Sequence, residues 1–260
     1  TLARAREAAG ADVIHLEIGE PDFRTPAPVV EAAKRALDAV PMNYTSALGI
    51  PPLREAIARF YRDRYGVAVP AGRIVVTAGS SAALLLAFGV LLDAGDEVLL
   101  ADPGYPCNRH FAIALGGVPR AVPVGPASRY QLTPEIARAA WTPRTRVAMV
   151  ASPANPTGTL VTPGEVAGLA AIARERGATL LVDEIYHGLT YGLDARTALE
   201  AGDDVFVVNS FSKYFQMTGW RLGWMVVPQP FVREVEKLAQ NLYISPSTLA
   251  QHAALAAFAP

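Results

Sequence analysis

The chain has 260 residues, 51% of them hydrophobic and 18% charged, with a formal net charge of −1. This profile excludes a disordered chain and provides neither a basic field for nucleic acid nor an acidic one for a basic partner. The single cysteine, Cys107, excludes an intramolecular disulfide and a cysteine-only zinc site and fits a cytoplasmic setting, while the longest apolar run, Ala82–Leu92, is about half the ~20 residues of a membrane helix.

The first forty residues hold one predicted helix, Pro26–Ala39, beside the turn-rich stretch IGEPDFRTP. They read as an arm and part of a smaller domain, residues 1–42. From residue 43 to 260 the pattern changes. A predicted helix Pro52–Tyr65 leads to strand Arg73–Thr77, helix Ser81–Leu92, strand Glu97–Ala101, helix Tyr105–Leu115 and strand Pro119–Val124. Helix Pro134–Ala140, strand Arg146–Ala151, helix Pro163–Arg176 and strands Thr179–Val182, Val205–Asn209 and Leu222–Val227 follow, then helices Phe231–Leu242 and Pro246–Phe258. Several strands are apolar on both faces, as happens when helices cover both sides of a mostly parallel sheet. The expected fold is α/β: a three-layer α/β/α domain around a mostly parallel seven-stranded sheet.

Polar residues gather where these strands end, which is where open α/β sheets bind ligands. In TAGSSAALLL a strand runs through a glycine turn into a helix that starts with Ser80 and Ser81. Free N–H groups and the helix dipole suit a phosphate there, although an ordinary cap would read the same way. In ASPANPTGT, Asn155 can both donate and accept from a loop stiffened by proline, or the loop is simply a rigid turn. In ATLLVDEIYHG, Asp183 follows an apolar strand directly. Buried, it needs a cationic partner; otherwise it is a helix cap, with Tyr186 within reach of the same space. In NSFSKYFQMTGWRLGW, Lys213 stands among apolar residues with Ser210, Ser212 and Arg221 around it. Desolvation would make its amine a nucleophile toward carbonyls, and the hydroxyls and guanidinium are donors of the kind a phosphate needs. The competing reading is a surface lysine on a loop.

Other chemistries find less support. G-x-G-x-x-G, the P-loop and G-x-S-x-G are absent. Ser210–Lys213 matches S-x-x-K, but its companions S-D-N and K-T-G are missing. The four histidines lack metal-ligand spacing.

Taken together, from IGEPDF to GWRLGW, these motifs resemble in order and spacing the fold-type I aminotransferases that depend on pyridoxal 5'-phosphate (PLP), the class that includes aspartate aminotransferases. The resemblance implies that Lys213 carries PLP as a Schiff base. It implies that Asp183 pairs with the pyridine nitrogen and that Tyr186 and Asn155 bond the ring's phenolic oxygen. Tyr105 would stack on the ring, and Ser80, Ser81, Ser210, Ser212 and Arg221 would hold the phosphate. Tyr44 would reach the neighbouring subunit's phosphate in a homodimer with shared sites. Gly19, with Asn155, would lie near the substrate. Residues 43–260 would be the large PLP-binding domain, and ping-pong transfer of an amino group between an L-amino acid and a 2-oxo acid the activity. The family's C-terminal small domain, with its carboxylate-binding arginine, has no counterpart in this stretch. Gln216 stands where the family often has glycine, with a local effect expected. A PLP-dependent C–S lyase on the same scaffold and a PLP-binding fragment without turnover are the alternatives.

Overall fold

The computed structural model describes residues 2–15 and 19–258; Ile18, the first residue of IGEPDFRTP, lies outside them. The strands are β1 (Ile74–Thr77), β2 (Glu97–Asp102), β3 (Val118–Pro123), β4 (Thr145–Ala151), β5 (Thr179–Asp183), β6 (Phe206–Ser210) and β7 (Gly223–Val226). They form one sheet in the order β1-β7-β6-β5-β4-β2-β3. Neighbours are parallel except at β7, which opposes both β1 and β6. The loop between β6 and β7 contains no α-helix to carry the chain back over the sheet, so the strand returns antiparallel. Pro119 sits in β3, at the edge of the sheet, where a missing N–H breaks no ladder.

The helices are α1 (Leu2–Ala8), α2 (Ala27–Ala39), α3 (Pro51–Tyr65), α4 (Gly79–Leu91), α5 (Pro106–Ala114), α6 (Pro134–Ala140), α7 (Pro163–Glu175), α8 (Val232–Tyr243) and α9 (Thr248–Ala254). Side chains alternate across each strand, and the core divides accordingly. Ile74, Val76 and Val207 pack with Leu53 and Ile57 of α3 and Leu169 of α7. Val75, Phe206 and Val208 pack with Leu84 and Leu86 of α4, Ala112 of α5 and Val235 of α8. Three layers result. Val29 and Ala33 of α2 join the first of these cores beside Ala250 and Ala253 of α9. Helix α1 was not expected from the sequence. It buries no side chain, so no apolar stripe announced it.

Local chemistry sets the helix ends. Thr162 and Glu165 form a capping box at the start of α7, with Pro163 in the first turn. Gly66 ends α3 in the left-handed conformation, φ 72°. Strand register then builds one functional edge. Thr77 pairs with Gly223, Ser210 with Gly223, and Ala151 with Asp183. The carboxyl ends of β1, β4, β5 and β6 therefore converge beside the start of β7. No described helix is long and apolar enough to cross a membrane.

Candidate active site

A cavity of about 1140 Å³ opens along that edge. Ser80, Ser81, Ser212 and Arg221 line one part of it. Helix α4 starts at Gly79, two residues before the expected Ser81, so both serines lie in its first turn, and no side chain caps it. First-turn N–H groups without a side-chain acceptor are anion donors. Two glycines allow this close approach. At Gly79 (φ +80°) a Cβ would lie 2.7 Å from Arg221 Nη2, and at Gly223 one would lie 2.9 Å from the Gly79 carbonyl carbon. The sequence marked Gly79 only as the turn into the helix and gave Gly223 no role. The available signal was the glycine in TAGSS and the one directly after Arg221-Leu222.

Arg221 itself has φ 51° and donates from Nη1 to the Thr218 carbonyl (2.8 Å), with Ser212 Oγ at 3.5 Å. Ser210 stands behind this wall, fully buried rather than lining it. Its Oγ lies 2.9 Å from Ser212 Oγ and 3.1 Å from the Leu222 carbonyl, and accepts from the Ser212 N–H at 3.1 Å. Ser210 therefore orients Ser212 and does not face the cavity.

Asp183, Tyr186, Asn155 and Tyr105 line another part. Asp183 accepts from the Ile185 N–H at 3.0 Å, closing a short turn; no helix starts here, so it is not the helix cap that the sequence allowed. No basic side chain pairs with it among the described residues, and burial pushes its carboxyl up to about 6. The described residues therefore supply no cationic partner of the kind that burial of this carboxylate calls for. Asn155 Nδ2 donates to Tyr186 Oη at 3.2 Å, which leaves the tyrosine O–H hydrogen for another acceptor. Burial and the Asp183 charge both raise the Tyr186 hydroxyl above its usual range, so it stays a neutral donor. Tyr105, at the N-cap of α5, presents a ring that is 43% exposed.

Lys213 lies between these two parts. Phe211, Phe215 and Met217 are buried and root the loop in the core, leaving Lys213 half-buried at the cavity wall. Its amine is 5.9 Å from the Tyr186 ring centroid and donates to the Gly19 carbonyl. Burial lowers its pKa and the Arg221 charge adds to this, while Glu20 opposes both. Gly19 also lines the cavity. Tyr44 does not; it is 79% exposed. Gln216, at φ 55°, occupies the left-handed region, which accounts for a glycine preference at that position.

Behind Asp183 the structure adds a buried group that sequence reasoning missed. Glu184 has no exposed surface and accepts from Thr197 Oγ1 (3.0 and 3.1 Å) and Ala198 N–H (2.6 Å). His187, which the sequence left unassigned, is buried against Tyr65 Oη at 2.8 Å, and burial holds it down at about 4. Tyr191, also unassigned, is 93% exposed at the cavity rim.

Comparison with known proteins places the sequence and the fold in one family. The model of the aminotransferase class I and II family matches residues 11–260. A valine–pyruvate aminotransferase of Mycobacterium tuberculosis is 45% identical over 99% of this chain and 67% of its own length. An aspartate aminotransferase of Geobacillus stearothermophilus is 35% identical over 98% of this chain and 66% of its own. Among solved structures, an aminotransferase from M. tuberculosis superposes with a TM-score of 0.96 at 44% identity, over all of this chain and 67% of that one. The aspartate aminotransferase from Thermus thermophilus with maleate gives 0.92 at 37% identity, over 99% of this chain and 68% of that one. The chain thus spans about two thirds of the length of these relatives, and it belongs to the class I and II aminotransferase family.

Proposed function

We propose that this chain carries the PLP site of an aminotransferase that moves an amino group between an L-amino acid and a 2-oxo acid. One observation carries the reading. A half-buried lysine stands between an anion cradle and a buried carboxylate that has no cationic partner among the described residues. PLP would satisfy all three groups, having a phosphate, a basic ring nitrogen and a carbonyl carbon. When bound, it serves as the electron sink for bonds broken at the substrate α-carbon.

The residues divide the work. The first-turn N–H groups of α4, Ser80, Ser81, Ser212 and Arg221 would hold the phosphate, with Ser210 orienting Ser212. Asp183 would stay ionised opposite the protonated ring nitrogen, which reverses the burial penalty on its carboxylate. Tyr186 and Asn155 would donate to the phenolic oxygen, and Tyr105 would cover one ring face. Lys213 would bind the carbonyl carbon and, once displaced by substrate, move a proton at the α-carbon. The burial that lowers its pKa favours the neutral amine that both tasks need. Gly19 and Asn155 would border the substrate. Exposed Tyr44 would reach the partner's phosphate in a homodimer, with residues 43–260 forming the large domain and 1–42 the arm.

The test is the visible absorbance of the protein mixed with PLP, followed by valine, then pyruvate, and in parallel by aspartate and 2-oxoglutarate. A band that amino acid removes and oxo acid restores is the expected result. A band indifferent to both would identify a cofactor-binding chain without turnover. Product formation that needs no oxo acid would point to the lyase. A folded protein with no band would overturn the role of Lys213.

A further inference from the structure

The segment from Gly19 to Thr25 crosses to the loop that carries Lys213 and is fastened there by one side chain. Thr25 Oγ1 accepts from the Trp220 indole N–H at 2.9 Å and lies 3.2 Å from the Gln216 carbonyl, to which it donates. One hydroxyl thus uses both a lone pair and its proton, joining positions 195 and 191 residues apart. Its two partners lie on either side of the turn after Lys213. The Gln216 N–H donates to the Lys213 carbonyl at 3.1 Å, and the Trp220 N–H donates to the Met217 carbonyl at 3.2 Å. Gln216 and Arg221 both hold left-handed backbone without being glycine, a conformation that persists only where surrounding contacts enforce it. At the far end of the same segment, the Gly19 carbonyl accepts from the Lys213 amine.

We propose that Thr25 is a positioning residue: by pinning the 19–25 segment to Trp220 and Gln216, it holds the Gly19 carbonyl against the Lys213 amine and covers that amine. Breaking the pin frees the segment at its fastened end and uncovers the nucleophile. The proposal concerns the lysine that the proposed function makes the cofactor's anchor, and it rests on that reading for its consequence. Its test does not require the cofactor.

The chain supplies its own references. It has three lysines, Lys34, Lys213 and Lys237. Lys34 and Lys237 are exposed and paired locally with Glu31 and Glu234. The experiment measures the rate at which a small amine-reactive reagent labels each lysine in the cofactor-free protein, read by peptide mass spectrometry. Thr25→Val, which keeps the shape but loses both hydrogen bonds, should raise the Lys213-to-Lys34 rate ratio several-fold with the Lys237-to-Lys34 ratio unchanged. Thr25→Ser should restore the wild-type ratio. Trp220→Phe, which removes only the indole donor, should move the ratio in the same direction. A general loss of structure would instead change the reference ratio as well. Should Thr25→Val and Trp220→Phe both leave the Lys213 ratio at its wild-type value, the pin has no effect on the lysine and the proposal is wrong. If the ratio responds but wild-type protein forms no absorbing adduct with PLP, the proposed function fails and the positioning role stands. An adduct in wild type with an unresponsive ratio gives the converse.

Discussion

Asp183 and Glu184 are chain neighbours with the same functional group, both buried at the end of β5, yet they face different regions. Glu184 lies in a closed compartment with Thr197, Ala198 and His187, where the protein supplies its hydrogen-bond donors. Asp183 lines the cavity and receives one backbone N–H. Glu184 finds its donors within the protein, whereas Asp183 has no basic partner among the described residues and no side chain caps the first turn of α4. A buried polar group satisfied by its own protein has a structural role, and one left for a ligand marks a binding site.

Lys213→Ala should have the largest effect and fall on the cavity side alone. It should abolish both the PLP absorbance band and turnover while leaving the thermal midpoint close to wild type. Retained transamination would remove Lys213 from the chemistry. Asp183→Asn comes next. Cofactor should still bind, because the anion cradle is intact, but turnover should fall on the order of 10²–10³-fold as the ring loses its counter-charge. Near-normal rates would erase the distinction between the two carboxylates.

The buried side should respond in stability instead. Glu184→Ala leaves the Thr197 hydroxyl and Ala198 N–H without their acceptor, at a cost of about 1–3 kcal/mol each. Glu184→Gln keeps an acceptor oxygen and should stay within about 1 kcal/mol of wild type near neutral pH. Denaturant titrations measure both, and a larger loss of turnover than of stability in Glu184→Gln would show that the compartment takes part in the reaction.

The smallest effect is a pH dependence of the cofactor-free protein. Burial raises Asp183 to about 6 and Glu184 to about 8, both above ordinary carboxylate values. The native state therefore holds more protons than the unfolded chain between those ordinary values and the raised ones. Stability is then highest below about pH 4 to 5 as far as these two groups are concerned, and it declines as pH rises to about 6 for Asp183 and about 8 for Glu184. Unfolding free energies at pH 5, 6.5 and 8 should show Asp183→Asn flattening the lower part of the decline and Glu184→Gln the upper part. Saturating PLP should flatten the Asp183 part in wild type. A stability difference between wild type and each variant that stays constant across these pH values would contradict the raised value at that position, the opposing titration of His187 being common to all three.

How much of this was legible before folding differs by residue. Lys213, Asp183, Asn155, Ser80 and Arg221 could be singled out because each follows an apolar strand or loop with a local polar signature, and strand ends are where open sheets bind ligands. The helix and strand runs were visible through periodicity, within a residue or two at most ends. Glu184 and His187 were not visible as a unit. Their partners are Tyr65, 122 positions from His187, and Thr197, 13 positions from Glu184 across an irregular loop. Ser210 and Ser212 look equivalent in the sequence, and only the turn after β6 sends one behind the wall and the other onto it.

Local chemistry alone was therefore enough for the α/β alternation, the seven strands and the residue types gathered at their ends, because those follow from hydrophobic period and turn residues acting within a few positions. Tertiary structure decided the rest. It turned β7 antiparallel between β1 and β6, brought Gly79 and Gly223 together so that Arg221 meets the start of α4, and carried Thr25 to Trp220 and Gly19 to Lys213. Those contacts join residues roughly 140 to 200 positions apart, and only closure of the whole chain around its sheet can set them, since no local preference extends over such a separation.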